Sequence, residues 1–193
     1  MTRQGFRYLV NEDKKQLLKT LRDSKSAWRS YFMYSLMLST GLRLSETLDL
    51  DINSVHNGFN AKKTLTIKGK GDKVREIPLN TEIQKKIEGF ITQKKRQKED
   101  TSPASPLFLS RVKRRITPRA VQMDLDKWTL KAGLDGKLSP HALRHTVGTE
   151  LLQKTNNIRL VQEFLGHSFV STTQRYTHIT KDEIRNGAEL LAV

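Results

Sequence analysis

The 193-residue sequence contains no cysteine, which excludes disulfides and thiolate metal sites. Acidic residues are also few, 20 Asp and Glu against 35 Lys and Arg, so the formal net charge is +15. No apolar run approaches the roughly 20 residues of a membrane-spanning helix, and the N-terminus lacks the apolar core of a secretory signal. We therefore expect a chain without membrane association, located in the cytoplasm with the nucleoid.

The excess of basic residues favours a polyanionic partner, because each Lys or Arg that neutralises a phosphate releases counterions. Nucleic acid is the leading candidate, and double-stranded DNA is the partner we expect. One basic cluster lies around the start of a predicted helix, and its members are candidates for DNA phosphate contacts. These residues are Arg111, Lys113, Arg114, Arg115 and Arg119. For any one of them, a solvated surface position is a nearly equal alternative.

Hydrophobic periodicity predicts an α+β domain that is mainly helical and has one small antiparallel sheet, over residues 1–193 as a single domain. An alternating run from Lys63 to Leu79 predicts a β-hairpin with Lys70 at its tip. Arg43 is expected between two helices. The residues predicted to cap helices are Asn11, Ser45, Thr81, Thr117 and Ser139, and Gly41 and Gly166 are predicted to end helices.

The C-terminal third concentrates side chains that suit phosphodiester chemistry. His141 and Arg144 are three apart at a predicted helix start, where backbone N–H groups attract anions. His167 follows the next helix, and Tyr176 lies further on. Each has an ordinary explanation by itself, such as a solvated charge, a loop histidine or a half-buried tyrosine.

The histidines of this region also allow a zinc hypothesis. His141 and His145 are four apart and could bind one zinc ion from a single helix, with His167 as a third ligand. The spacing matches a known zinc motif only in part, because Ala142 stands where that motif has a glutamate. We rank the zinc enzyme below the other hypotheses.

Several motifs, taken together in chain order, resemble the signature boxes of the tyrosine recombinases, the phage integrase and Xer family. They are Thr40-Gly41-Leu42-Arg43-Leu44-Ser45-Glu46, Gly69-Lys70-Gly71, His141-Ala142-Leu143-Arg144-His145, Leu165-Gly166-His167-Ser168 and Tyr176-Thr177-His178. The resemblance runs from about Tyr8 to Ile179 and fills all six functional positions of the family. It implies the fold of the DNA breaking-rejoining catalytic core.

The resemblance implies that Tyr176 attacks a scissile phosphate, forms a 3′-phosphotyrosyl bond and releases a 5′-hydroxyl. Arg43 and Arg144 would neutralise the nonbridging oxygens in the transition state. His141 would take the phenol proton, His167 would donate a hydrogen bond to the phosphate, and Lys70 would protonate the leaving oxygen. Because the covalent bond conserves the phosphodiester energy, we expect no ATP, metal or other cofactor.

Two expectations concern assembly and biological role. The family's N-terminal DNA-clamping domain is expected to be absent from this chain, since only about forty residues precede Arg43. Residues 181–193 are predicted to form a helix that docks on a neighbouring protomer, and folding back on its own domain is an equal alternative. We expect a monomer in isolation and a homotetramer on DNA. Among phage integration, transposon movement and chromosome-dimer resolution, a mobile-element integrase is our expectation.

Two further rival functions remain open at this point. A noncatalytic DNA-binding module would share the fold but would need no phenol at position 176. A type IB topoisomerase would use similar residues to relax supercoils without exchanging partners.

Overall fold

Helices dominate the fold, and a two-stranded antiparallel sheet completes it. The computed structural model describes residues 8–68, 74–134, 136–166 and 181–191. The helices are α1 Asn11–Arg22, α2 Trp28–Thr40, α3 Leu44–Asp49, α4 Ile52–Val55, α5 Thr81–Arg96, α6 Pro118–Lys131, α7 Pro140–Thr155, α8 Ile158–Leu165 and α9 Lys181–Glu189, with a 3₁₀ turn at Lys25–Ala27. Strands β1 Thr64–Lys68 and β2 Val74–Pro78 form the hairpin. The predicted α+β class, mainly helical, is confirmed. None of the described helices is long and apolar enough to cross a membrane.

Helix α2 is the central element of the core. Every residue from 32 to 40 is buried, and the helix packs against α1, α5 and α7. Its aromatic side chains meet those of neighbouring segments: the Phe32 ring lies 4.2 Å from Phe90 and 5.8 Å from Phe108, centroid to centroid. A helix buried on all sides has an apolar surface over most of its circumference, and in α2 the small side chains of Ser35, Ser39 and Thr40 are the buried polar exceptions.

The glycine that ends α2 determines where the chain goes next. Gly41 has a φ of 63°, the left-handed conformation that glycine adopts without strain. A Cβ atom at this position would overlap the side chain of Leu165 at the end of α8. The chain therefore leaves α2 in close contact with α8, and Arg43 follows two residues later.

The predicted helix caps are partly confirmed. Thr117 and Ser139 cap α6 and α7, since their hydroxyls accept from the backbone N–H of Ala120 and Ala142. Gly41 and Gly166 end helices in the left-handed conformation, as predicted. Three caps were placed wrongly: Val10 precedes α1, Arg43 precedes α3 and Asn80 caps α5, so Asn11, Ser45 and Thr81 are the first or second residues of their helices. Each error is a shift of one or two positions along the chain.

Helix α9 packs on the domain to which it belongs. Ala188 and Leu191 are buried, and the backbone carbonyl of Ala188 accepts a hydrogen bond from the Asn80 side chain at 3.0 Å. The ammonium group of Lys154 donates to the carbonyl of Leu190. In this structure of one chain, the segment therefore adopts the folded-back arrangement, one of the two that the sequence leaves open.

A buried ion pair joins the first helix to α7. The Lys14 ammonium group lies 3.0 and 2.8 Å from the two carboxylate oxygens of Glu150, and both side chains are less than a tenth exposed. Burial lowers the pKa of Lys14, although the Glu150 carboxylate acts in the opposite direction. The pair holds α1 against the helix that carries His141 and Arg144.

We expect Lys14→Met to destabilise the protein by about 3 kcal/mol, because it leaves the Glu150 carboxylate buried without its partner. Replacing both residues, Lys14→Met with Glu150→Leu, should recover most of this loss, since no unpaired charge remains. Urea unfolding measures both effects. Lys15→Met, at an exposed position of the same helix, is the control and should change stability by less than about 0.5 kcal/mol. A double variant as unstable as the single one would contradict the expectation.

Candidate active site

Arg43 lies at the start of α3, immediately after the turn that ends α2. Its backbone is extended, with φ −68° and ψ 154°, and its backbone N–H donates to Glu46 Oε2 at 2.7 Å. The guanidinium group also contacts Glu46, with Nη1 2.9 Å from Oε1. The side chain remains 45% exposed. Glu46 therefore fixes one side of Arg43, and the other side is accessible to a ligand.

Glu46 is the centre of a cluster of three arginines. In addition to Arg43, it accepts two hydrogen bonds from Arg75 on β2, from Nη1 to Oε1 at 2.9 Å and from Nη2 to Oε2 at 2.8 Å. Arg144 Nη1 lies 4.0 Å from Oε2. One carboxylate among three guanidinium groups leaves an excess of two positive charges at this point.

Arg144 is the most buried of the three arginines. Its side chain is 5% exposed, and its two terminal nitrogens donate to backbone carbonyls, Nη1 to Gly41 at 2.5 Å and Nη2 to Leu165 at 2.6 Å. Arg144 is the fifth residue of α7, so the expectation that it lies in the first helical turn is wrong. Its position is fixed by the ends of α2 and α8, which converge on it.

The surroundings of the cluster lower the pKa of Arg144 and that of Glu46, for different reasons. Burial lowers the pKa of Arg144 to about 10, and the neighbouring positive charges of Arg43 and Arg75 act in the same direction. Burial alone would raise the pKa of Glu46, but hydrogen bonds from Arg75 and from the Arg43 backbone outweigh it and hold the pKa at about 2. Arg144 and Glu46 are therefore both charged at neutral pH.

The low pKa of Glu46 also gives the sign of its effect on stability. It lies below the ordinary value of 4.5, so the ionised form is favoured in the folded state. The resulting stabilisation is complete above about pH 4.5 and is lost as the pH falls through about 2. The cluster is therefore intact throughout the physiological range.

His141 lies in the first turn of α7, three residues before Arg144. Its side chain is exposed, and its ring lies 6.4 Å from that of His145, edge to face. His145 in turn stacks on Tyr8, with the ring centroids 6.4 Å apart. A proton acceptor such as a histidine has to be accessible to the group it deprotonates, and the exposure of His141 satisfies this condition.

Three of the predicted site residues lie outside the described residues. They are Lys70, His167 and Tyr176. The described chain stops on either side of each: β1 and β2 flank the segment that contains Lys70, and α8 with Gly166 precedes His167. Among the predicted site residues that the structure describes, Arg43 and Arg144 meet at Glu46, and His141 lies three residues before Arg144 on α7. The catalytic roles of all six residues stay predictions.

No cluster of three or more histidine, aspartate or glutamate side chains with a metal-binding arrangement occurs among the described residues. The zinc hypothesis joins His141 and His145 to His167. The third of these histidines belongs to the part of the chain that is not described.

The predicted DNA-contacting cluster divides into two parts. Arg111, Lys113 and Arg114 are exposed in a tight turn, and Arg119 is exposed in the first turn of α6. Arg115 is tied to the protein instead: it donates to the carbonyls of residues 48 and 50 and to the Asp51 carboxylate at 2.6 Å. This contact joins the turn to the end of α3, which spans six residues or about 9 Å. The turn that carries Arg111, Lys113 and Arg114 is therefore attached near the end of α3, the helix that begins directly after Arg43.

Sequence reasoning overlooked Arg75, although the sequence contains a signal for it. In the hairpin, Arg75 pairs with Ile67, and Leu65 pairs with Ile77. Strand alternation thus places Arg75 on the same face as three buried apolar residues. A charge on the inward face of a sheet requires a partner of opposite charge, and Glu46 is that partner.

Comparison with known proteins identifies the family. The model of the phage integrase family matches residues 7–183, and the chain therefore belongs to this family. The tyrosine recombinase XerC of Haemophilus influenzae (strain 86-028NP) is 37% identical over 180 residues, which are 92% of this chain and 59% of that protein. The chain thus spans about three-fifths of the length of this curated relative.

Solved structures show the same relationship. The crystal structure of XerA recombinase matches with a TM-score of 0.72 and 30% identity, over 96% of this chain and 64% of that chain. The XerH site-specific recombinase, bound to its difH substrate in a pre-cleavage complex, matches with a TM-score of 0.69 and 27% identity, over 86% of this chain and 48% of that one. The helical fold with its small sheet is that of these recombinases.

Proposed function

We propose that this chain is the catalytic domain of a site-specific DNA recombinase that cleaves and rejoins strands through a 3′-phosphotyrosyl intermediate. The observation that carries the proposal is the cluster of Arg43, Arg75 and Arg144 around the Glu46 carboxylate. Exposed His141 precedes Arg144 by three residues on α7. Family membership and the similarity to a recombinase bound to its DNA substrate support it.

The charge balance of the cluster suits a phosphodiester. The excess of two positive charges beside Glu46 would be offset by a phosphate, whose negative charge grows in the transition state of the attack. Arg43, open to solvent, and Arg144, held rigidly by two carbonyls, would bind its nonbridging oxygens from two sides. Donors fixed in advance stabilise a transition state without reorganising during the reaction.

The remaining roles follow from the chemistry of each residue type. Tyr176 would attack the phosphorus, and His141 would accept the phenol proton. Lys70 would give a proton to the leaving 5′-oxygen, while His167 would donate a hydrogen bond to the phosphate. The 5′-hydroxyl of a second strand then reverses the attack and reseals the backbone, which requires neither ATP nor a metal ion.

Duplex DNA would extend from the cleavage site to the exposed cations near α3 and α6. Arg111, Lys113, Arg114 and Arg119 would contact its phosphates. Arg115 would instead hold the turn that presents the first three. Synapsis of two duplexes would bring four protomers together as a homotetramer on DNA.

The relatives favour a Xer-type recombinase. The curated relative at 37% identity and the two structures at 30% and 27% identity all carry Xer names. A mycobacteriophage integrase and a transposon integrase match at 23% and 24% identity, which supports the shared fold only. The expected mobile-element origin gains no support from these comparisons.

Covalent trapping tests the proposal. The protein is incubated, in the presence of a metal chelator and without ATP, with nicked duplexes whose central sequence is randomised; the nick lets the short downstream strand dissociate after cleavage and prevents resealing. We expect a covalent protein–DNA adduct on a denaturing gel, and sequencing of the trapped DNA gives the preferred site.

Binding without an adduct would indicate a noncatalytic module. Adduct formation with plasmid relaxation but no strand exchange would indicate a topoisomerase. Dependence on metal would support the zinc hypothesis.

Deleting all residues after Thr180 is expected to lower recombination between two sites while cleavage of a single site stays measurable. The deletion removes α9 and the residues after it, including the buried side chains of Ala188 and Leu191. This is also the segment predicted to dock on a neighbouring protomer. A chain shortened by only its last two residues is the control. Equal recombination by the truncated and full chains would contradict the prediction.

A further inference from the structure

We propose that Arg75 is a positioning residue for strand cleavage: it fixes Glu46 and, through Glu46, the guanidinium of Arg43 that holds the scissile phosphate. The inference rests on the proposed function, because it assigns Arg75 a part in the same cleavage reaction. Arg75 lies outside the six positions that the family resemblance supplies.

The hydrogen bonds of Glu46 connect the two arginines directly. Oε1 accepts from Arg75 Nη1 and from Arg43 Nη1, both at 2.9 Å. Oε2 accepts from Arg75 Nη2 at 2.8 Å and from the Arg43 backbone N–H at 2.7 Å. Each carboxylate oxygen is thus shared between the two residues. Two parallel bonds from a planar guanidinium group fix the orientation of a carboxylate as well as its position.

The exposed fractions of the side chains distinguish Arg75 and Glu46, which provide the support, from Arg43, which they position. The side chains of Arg75 and Glu46 are 14% and 9% exposed, whereas that of Arg43 is 45% exposed. Arg43 therefore presents its guanidinium to the surface that DNA would approach, and Arg75 lies behind it. Arg75 is placed to orient the phosphate-binding residue and does not itself face the substrate.

The surroundings of Arg75 also link it to the support of Arg144. Gly166 has a φ of 65°, and a Cβ atom there would lie 2.6 Å from Arg75 Cδ and 3.0 Å from its Nε. The stem of Arg75 therefore crosses directly over the turn at the end of α8. The backbone carbonyl of Leu165, the residue before Gly166, accepts a hydrogen bond from Arg144. Arg75 thus contacts the supports of both catalytic arginines.

Replacing Arg75 by alanine is expected to lower the cleavage rate by about 10- to 100-fold, the range for a small misplacement of a catalytic group. The rate is the first-order rate of adduct formation at saturating nicked DNA, and the Kd for DNA should change less than about threefold. A lysine side chain would retain the charge without the two parallel bonds, so we expect Arg75→Lys to remain at least about tenfold slow. Lys68→Ala, at an exposed position of the same hairpin, is the control and should cleave at the wild-type rate.

A double-mutant cycle separates positioning from general destabilisation. If Arg75 acts through Glu46, then Arg75→Ala should cost less than about threefold once Glu46 is already glutamine, because coupled residues are not additive. A residue needed only for stability would cost the same factor in both backgrounds, with a matching fall in the thermal midpoint. If Arg75→Ala fails to fold, the same cycle is measured with Arg75→Lys.

The outcomes distinguish this inference from the proposed function. If the wild-type chain forms no adduct, both fail. If the wild type forms the adduct and the Arg75 variants cleave at the wild-type rate, only the role of Arg75 is overturned. The same holds if Arg75→Ala slows cleavage by as large a factor in the Glu46→Gln background as in the wild type.

Discussion

Tyr176→Phe is expected to abolish covalent trapping of DNA completely, because phenylalanine has no oxygen with which to attack phosphorus. Noncovalent DNA binding should persist, since the arginine cluster is unchanged. The test compares the variant with the wild type by adduct formation on nicked DNA and by gel shift. An equal yield of adduct from Tyr176→Phe would contradict the assignment of the nucleophile.

The other tyrosines of the chain supply matched controls. The sequence has four tyrosines in all. Tyr34 is fully buried and donates to Asp124 at 2.8 Å, and burial raises its pKa well above the ordinary value. Tyr31 lies 5.1 Å from the ammonium group of Lys86, near the start of α2. It is about 14 Å along the helix from the end that leads to Arg43. Neither is placed to attack a phosphate bound by Arg43.

Tyr8 is the informative control because it is 41% exposed and stacks on His145, close to His141. A rival nucleophile among the described residues would be this one. We expect Tyr8→Phe to form the adduct at the wild-type level. If Tyr8→Phe lost the adduct and Tyr176→Phe kept it, Tyr8 would be the nucleophile and the assignment of Tyr176 would be wrong.

Arg144→Ala is expected to lower the first-order cleavage rate by about a thousandfold, or about 4 kcal/mol of transition-state stabilisation. The reason is that Arg144 offers its charge where the phosphate gains negative charge, in a site 5% exposed to water. The Kd for DNA should rise only a few fold, because many surface cations share the binding. Single-turnover kinetics at saturating DNA, together with a titration, separate the two quantities.

The structural part of this effect can be measured separately. Alanine at 144 leaves the carbonyl groups of Gly41 and Leu165 without their donor, so the free energy of unfolding should also fall. Arg144→Lys keeps a positive charge but cannot reach both carbonyls in a planar fork, and we expect it to remain at least about a hundredfold slow. Lys95→Ala removes a charge from an exposed position and is the matched control. A rate that falls no further than DNA affinity would contradict a role in the chemical step.

The parts of the fold that follow from local patterning were predictable from the sequence. The hairpin was predicted by alternation from Leu65 onwards, and the starts of α6 and α7 by Thr117 and Ser139 before proline. Gly41 was predicted to end α2. The shifted caps at Asn11, Ser45 and Thr81 show the limit of such reasoning. At α5 two neighbouring polar residues, Asn80 and Thr81, could each cap the helix, and α1 begins after Val10, which has no side chain that can cap it.

The tertiary arrangement of the site was not accessible in the same way. That Arg144 donates to carbonyls at the ends of two other helices depends on how α2 and α8 converge, and no local pattern contains this. The cluster around Glu46 likewise brings together residues 29 and 98 positions apart in sequence. Only the inward position of Arg75 on β2 could have been inferred, since strand alternation puts it on the buried face.

The most direct test of the proposed mechanism is to digest the trapped adduct with protease and identify the modified peptide by mass spectrometry, while the ends of the cleaved DNA are mapped chemically. The account predicts a nucleotide joined through its 3′-phosphate to Tyr176, and a free 5′-hydroxyl on the released strand. A nucleotide on any other residue, or a 5′-phosphate on the released strand, would contradict it.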